Sequence, residues 1–324
     1  MPEIQKWSVS EPYLELSGKL LEGPYYDEER NELRFVDILE EKLHVLDLAK
    51  GPQSLKSFDI GVPIGVTGNI EGPVGDDSIV VAAKHGFAKV DRQTGQLTYI
   101  QRIFSDANGE NMQIFLGLQD QQLTPLMSSR IRFNDGAIDS RGRFWAGSMT
   151  DLKVAELTND GILYRLDPDQ SLHKMIEKME IPNGMDWNKA DDILYVTDTA
   201  SGNIYIYDFD AETGVIANRR VFFTVEGEPK PDGFAMDDEG CLWVALWGGS
   251  KVIRVSPEAK IVGEIEIPTK NVTCAEFAGT ELFITTANVD NNAQSHDRFA
   301  GQLFKVDVGV KGKPKNKFKF QAQL

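Results

Sequence analysis

The sequence predicts an all-β fold, a six-bladed β-propeller of four-stranded blades. The first observation is a repeat, in which a turn-rich acidic segment precedes a short run of β-branched or aromatic residues. Six such units occur, and they align on Val36, Val81, Ala146, Val196, Val244 and Thr285. The second observation is their spacing, because successive units lie 45, 65, 50, 48 and 41 residues apart. Propeller blades repeat at about 40–50 residues.

Each unit continues with a second strand-like run. These runs are LHVLDL, GFAKVD, GILYRLD, GNIYIYD, KVIRVS and QLFKVD. Turn chemistry follows several of them, as at residues 91–95 (DRQTG) and 210–214 (DAETG), where Asp caps a turn and Gly adopts positive φ. A pair of β-sandwiches also contains short, regularly spaced strands. That alternative does not predict six matched units.

We expect residues 1–324 to form a single propeller domain, although this length also fits two average domains. Residues 12–16 precede the first unit and are expected to pair into the last blade, which would close the ring and remove an open sheet edge. The longest interval contains an inserted loop, residues 104–130. Connections of this length are usually functional lids or disordered segments, and both readings are open.

The composition is acidic, with 34 Lys and Arg against 50 Asp and Glu and a net charge of −16. This balance disfavours nucleic acid and anionic membranes as partners and favours cations and small neutral ligands.

No basic region followed by an apolar run opens the chain, so a cytoplasmic location is expected. The final Ala322-Gln323-Leu324 resembles a peroxisomal signal only faintly. Cys241 and Cys274 are too few for a disulfide framework. The oligomeric state is open.

Polar residues recur at nearly the same distance upstream of four of the aligned positions. They are Glu22, Asn134, Asn183 and Asp232, which lie 12 to 14 residues before Val36, Ala146, Val196 and Val244. Innermost strands line the channel of a propeller, so matched positions are expected to converge there. In the other two blades Asn69 and Thr273 are weaker candidates for lining the pocket. The alternative is that these residues form ordinary turns, as Asn-Gly and Asp-Gly pairs often do.

One Glu, two Asn and one Asp provide only oxygen donors, if each Asn presents its carbonyl. Such a set suits a hard divalent cation and is less typical of structural zinc, which prefers Cys and His. An incomplete shell of protein ligands leaves positions for water and substrate, as metal-assisted hydrolysis requires. The sequence therefore predicts one divalent cation in the channel, with Ca²⁺ as the first choice and Mg²⁺, Mn²⁺ or Zn²⁺ as alternatives.

Over nearly its whole length the sequence resembles the family of gluconolactonases, regucalcin (senescence marker protein) and luciferin-regenerating enzymes. The resemblance is carried by EGPYYDEERNELRFVDI, RFNDGAIDSRGRFWAGSM, IPNGMDWN, PDGFAMDDEGCLWVALWGG and LFKVDVGVKGKP. It implies a six-bladed propeller that binds one divalent metal through Glu22, Asn183 and Asp232.

The resemblance also implies which residues contact substrate. Arg132 matches a substrate-contacting arginine, and Asn134 matches a pocket asparagine near the metal. Glu156 corresponds to a glutamate that contacts substrate hydroxyls, with the spacing there shifted by one residue. Where relatives commonly read N-N-R before the F-N-D-G motif, this chain has Arg130-Ile131-Arg132.

The activity that the resemblance implies is hydrolysis of a sugar lactone such as gluconolactone. In that reaction the metal polarises the ring carbonyl, and Asp232 is the expected catalytic residue that orients or deprotonates the attacking water. Other family members are assigned to calcium homeostasis or luciferin recycling. A non-catalytic propeller that binds calcium or a partner therefore stays the alternative, since fold alone does not determine function.

Overall fold

Six small sheets surround a central channel, which confirms the predicted six-bladed propeller. The structure is a computed structural model, and it describes residues 4–71, 77–104, 129–289 and 297–321. Most of the inserted loop, residues 105–128, lies outside the described residues, as do Ala322, Gln323 and Leu324. Within the described residues, no helix has the length and apolar character needed to span a membrane.

The strands follow one another blade by blade, each blade running from the channel outward. Strand β1 (Gln5–Ser8) precedes blade 1, which contains β2 (Leu21–Asp27), β3 (Glu32–Asp37), β4 (Lys42–Asp47) and β5 (Lys56–Asp59). Blade 2 contains β6 (Ile64–Glu71), β7 (Ser78–Ala83), β8 (Gly86–Asp91) and β9 (Leu97–Arg102). Blade 3 contains β10 (Ile131–Ile138), β11 (Phe144–Thr150), β12 (Gly161–Leu166) and β13 (Leu172–Met179).

The second half of the ring has the same order. Blade 4 contains β14 (Pro182–Trp187), β15 (Ile193–Asp198), β16 (Asn203–Asp210) and β17 (Val215–Thr224). Blade 5 contains β18 (Lys230–Met236), β19 (Leu242–Trp247), β20 (Lys251–Val255) and β21 (Ile261–Glu266). Blade 6 contains β22 (Val272–Ala278), β23 (Glu281–Thr286) and β24 (Leu303–Asp307), and β25 (Phe318–Lys319) follows it. Short 3₁₀ helices are formed by Pro52–Ser54 and Thr199–Ser201.

The core is divided into six clusters, each between two neighbouring blades. The six residues on which the sequence repeats were aligned all lie in second strands and are 0% exposed. Second strands are covered by blades on both faces, which explains why they read as continuous apolar runs rather than as alternating ones. Burial of these runs fixes the blades against one another, and this rigid ring positions the side chains of the channel.

Ring closure differs in detail from the expectation. Residues 12–16 do reach the last blade, where the backbone N–H of Leu14 donates to the carbonyl of Leu303 at 3.1 Å. The contact is a single antiparallel bridge and not a strand, so blade 6 has three strands and this segment occupies the fourth place. Strand β1, which the sequence did not predict, pairs in parallel with β21 as a fifth strand of blade 5.

The C-terminal segment, residues 308–321, crosses the end of the channel where the innermost strands finish. It contacts every blade, through Gly279 of blade 6, Met236 of blade 5, Trp187 of blade 4, Ile138 of blade 3, β6 of blade 2 and Glu29 of blade 1. Each contact lies at or next to the last residues of an innermost strand. We call this end of the channel the tail end, and the opposite end, where the innermost strands begin, the site end.

Candidate metal centre and substrate pocket

A register shift near the start of each innermost strand positions the candidate site. The pairing between first and second strands is interrupted at this point in all six blades. Such bulges change the direction of a side chain and are common beside active sites. The residues at or next to the shifts are Glu22, Gly65, Asn134, Asn183, Asp232 and Thr273. The four polar residues that the sequence grouped therefore do lie on one circle at the site end.

Blade 2 corrects one expectation, because Gly65 and not Asn69 has the matching position. The connection in the first hairpin of blade 2 is longer than in other blades, so counting back from Val81 reaches the wrong residue. A Cβ on Gly65 would lie 2.4 Å from the carbonyl oxygen of Asn134, so only glycine fits. Asn69 instead accepts a hydrogen bond from Arg34 at 2.9 Å and one from Arg92 at 2.7 Å.

Glu22, Asn183 and Asp232 form the centre of the site. They are 4%, 2% and 3% exposed, respectively. The Asn183 amide nitrogen donates to Asp232 and, at 3.1 Å, to the hydroxyl of Thr199. The Asn183 Oδ1 and Glu22 Oε2 atoms are buried and have no hydrogen-bond partner among the described residues. Buried acceptors without partners are costly, so these two oxygens are available as ligands for a cation.

The pKa values of the two carboxylates, Glu22 and Asp232, also fit a site for a cation. Burial, followed by the nearby Asp232 and Asp135 carboxylates, raises the pKa of Glu22 well above its ordinary value. Burial and Asp135 likewise raise the pKa of Asp232. Two carboxylates that are buried beside a third repel one another and lose their hydration. A divalent cation between them would relieve both effects, and it would return the carboxylates to the ionised state.

Arg132 and Asn134 lie beside this centre and hold each other in place. The Arg132 guanidinium donates to Asn134 Oδ1 at 2.7 Å and to the carbonyl of Phe133 at 3.0 Å. The Asn134 amide nitrogen donates to the carbonyl of Pro182 in the next blade at 3.0 Å. Asn134 thus uses both ends of its amide within the protein. The buried Nε of Arg132 has no partner among the described residues, so one donor of the guanidinium is unused within the protein.

Glu156 is not brought into this cluster. It lies in the connection between β11 and β12, where its side chain is exposed, and its role toward substrate stays a prediction. Thr273 has a structural contact, since its hydroxyl donates to the carbonyl of Leu21 at 2.6 Å and so joins blade 6 to blade 1 beside Glu22.

A second charged group lies deeper in the channel, toward the tail end, and sequence reasoning missed it. Asp135, Asp186, Glu276 and Lys315 line a cavity of about 50 Å³, which is room for a few water molecules. Lys315 Nζ is 3.0 Å from Glu276 Oε2, and Lys313 Nζ is 2.5 Å from Asp186 Oδ1. The sequence did contain a signal for this group, because Glu276 follows Thr273 by three residues and Asp186 follows Asn183 by the same spacing.

The donor set fits a hard cation better than a soft one. The described residues contain no group of three or more His, Cys, Asp and Glu side chains placed to hold a metal ion. The candidate site instead combines two carboxylates, from Glu22 and Asp232, with the carbonyl oxygen of Asn183. Oxygen-only donors of this kind are typical of Ca²⁺ and Mg²⁺ sites and are atypical of structural zinc.

Fold and site together define a class of protein, a six-bladed propeller with a buried, oxygen-lined site at one end of its channel. The chain belongs to a family of this class, the SMP-30/Gluconolactonase/LRE-like family, whose characteristic region matches residues 20–288.

Three relatives illustrate the family. A Bacillus subtilis (strain 168) protein provisionally named sugar lactone lactonase YvrE is 31% identical over 90% of this chain and 92% of its own length. Regucalcin from Gallus gallus is also 31% identical, over 91% of this chain and 93% of its own length. The solved structure of a luciferin-regenerating enzyme superposes with a TM-score of 0.78 at 27% identity, covering 94% of this chain and 96% of that chain.

Proposed function

We propose that this protein is a divalent-cation-dependent lactonase that opens a small lactone, with a sugar lactone such as gluconolactone as the first candidate. The observation that carries the proposal is the pair of buried, unpartnered oxygens on Glu22 and Asn183 beside the Asp232 carboxylate. The name of the Bacillus subtilis relative supports a lactone as the substrate class. The oxygen-only donor set supports Ca²⁺ as the cation, with Mg²⁺, Mn²⁺ and Zn²⁺ as alternatives.

Glu22, Asn183 and Asp232 would hold the cation. When bound, the cation supplies Lewis-acid chemistry, which polarises a carbonyl and increases the acidity of water. Asp232 has two carboxylate oxygens, so one can bind the cation while the other orients the attacking water and accepts its proton. The free Nε of Arg132 donates to a ring or hydroxyl oxygen of the substrate. Asn134 positions Arg132 through the 2.7 Å hydrogen bond between their side chains.

A metal-dependence assay tests this proposal. The protein is stripped with a chelator, reloaded with each cation in turn, and assayed by proton release on a panel of aldonolactones and aromatic lactones. We expect hydrolysis only after reloading, and a loss of at least about a thousandfold in kcat/KM for Asp232→Asn. Asp208→Asn, the same change at a half-exposed position of blade 4, is expected to leave activity unchanged.

The second candidate function is a cation-binding or interaction propeller without turnover. It is favoured by the same unpartnered oxygens, since they require a cation but not a substrate. Cation binding without hydrolysis of any lactone in the panel would establish this function and overturn the lactonase proposal.

A further inference from the structure

The tail end of the channel carries an ion pair that the proposed reaction does not use. Lys315 belongs to the C-terminal segment, and its ammonium lies 3.0 Å from the carboxylate of Glu276. Glu276 is only 3% exposed, and both side chains line the cavity that extends toward Asp135. Burial lowers the pKa of Lys315, but the Glu276 and Asp186 carboxylates raise it overall above its ordinary value. Lys315 is therefore a cation that the chain itself inserts into the channel.

The charges of the channel can be counted over the described residues. Four carboxyl groups along the channel enter the count. Three of them, Glu22, Asp135 and Asp232, form no salt bridge with a lysine among the described residues, and the fourth, Glu276, pairs with Lys315. Arg132 and Lys315 are the two cations that act on them. Two further acids have lysine partners of their own and are left out of the count, Asp151 with Lys84 at 2.6 Å and Asp186 with Lys313 at 2.5 Å.

With the carboxyl groups ionised, this leaves the channel two positive charges short of neutrality. One divalent cation supplies that difference. Without Lys315 the shortfall would be three charges, and without Glu276 it would be one. Buried charges interact across a medium of low effective dielectric. A change of one unit charge at the tail end therefore changes the electrostatic potential at the site end.

We propose that Lys315 is an internal counter-ion, which sets the charge of the channel and through it the affinity of the site end for one divalent cation. The effect passes through Asp135, which lies between the two ends and interacts electrostatically with both Lys315 and Asp232. Lys315 pairs with Glu276 at the tail end and is not among the residues proposed to hold the cation or the substrate, so it acts as a positioning residue. This inference rests on the proposed metal site.

The test is calorimetric titration of Ca²⁺ into chelator-stripped protein. The titration is done at a pH well above the pKa of Glu276, which burial raises to about 7, so that this carboxyl stays ionised. Lys315→Met is then expected to bind Ca²⁺ about tenfold more tightly than the wild type, and Glu276→Gln about tenfold more weakly, the order expected for one unit charge acting on a divalent ion. The double variant restores the original count of charges and is expected to bind as the wild type does. Lys317→Met is the control, because Lys317 pairs with the exposed Glu29 outside the channel.

Unchanged Ca²⁺ affinity in both single variants, with a wild type that binds, would overturn the inference and leave the metal site intact. A wild type that binds no divalent cation would instead overturn the proposed metal site, and the inference with it. If Lys315→Met does not fold, the comparison of Glu276→Gln with the double variant decides, because equal affinities in these two would also refute the inference.

Discussion

The two ends of the channel contain similar acidic residues but treat them differently. At the tail end, Glu276 and Asp186 each receive a lysine from the C-terminal segment, at 3.0 Å and 2.5 Å. At the site end, Glu22 and Asp232 receive no lysine, and Glu22 Oε2 has no hydrogen-bond partner among the described residues. Buried carboxylates are tolerated only when they are paired. The tail end thus carries its own lysines, whereas at the site end Arg132 is the chain cation that acts on Glu22 and Asp232, and under the proposed function the second cation comes from outside.

The largest expected effect is on the free energy of unfolding, which should change in opposite directions for substitutions at the two ends. In the presence of chelator, Glu276→Gln should lower the free energy of unfolding by about 2 kcal/mol, because it leaves Lys315 without its partner. Asp232→Asn should raise it by roughly 1 kcal/mol, because it removes a buried carboxylate that forms no salt bridge with a lysine among the described residues and lies beside two other acids. Urea unfolding followed by fluorescence measures both. Changes in the same direction for the two variants would contradict the comparison.

A second prediction concerns pH. Burial raises the pKa of Asp135 to about 6, above the value of about 3.9 in an unfolded chain. The folded state thus holds this proton more tightly, so the associated stability is present at low pH and is lost as pH rises from about 4 to 6. In metal-stripped protein, the free energy of unfolding of the wild type should therefore fall by roughly 1–2 kcal/mol relative to that of Asp135→Asn over this pH range. A difference that grows with pH in favour of the wild type would refute the prediction.

The smallest expected effect is a change in KM on substitution of Arg132 at the site end. Arg132→Met removes the free Nε donor, and we expect KM for the lactone to rise about tenfold, in line with the loss of one charged hydrogen bond. The change in kcat should be smaller, and Ca²⁺ affinity should not fall, since a positive charge near the cation is lost. The control is Arg141→Met, at a largely exposed arginine of the same blade. A variant with normal KM would show that Arg132 does not bind substrate.

Most of the ring could be predicted from the sequence because its signals are local. Second strands such as residues 193–198 (ILYVTD) carry continuous apolar runs, and turns with Asp and Gly flank them. The convergence of Asn134, Asn183 and Asp232 on one circle could be predicted for the same reason, since their spacing to the second strand is nearly constant. The register shift at these residues was not predicted.

The parts that were missed depend on contacts between distant residues. Gly65 carries no side chain to signal its place in the circle, and the longer connection of blade 2 moved the count to Asn69. The C-terminal segment has no periodicity, and Lys315 becomes meaningful only when the closed ring places it against Glu276. Strand β1 was missed because its four residues pair only with the outer edge of blade 5.

Anomalous scattering from crystals soaked in Mn²⁺ would show whether the site end binds a divalent cation. Mn²⁺ is a hard cation with a strong anomalous signal, and it accepts the same oxygen donors as Ca²⁺ and Mg²⁺. We expect one strong peak in the channel, at roughly 2.0–2.6 Å from oxygens of Glu22, Asn183 and Asp232. A channel without a peak, or a peak beside Glu276 at the tail end, would contradict this expectation.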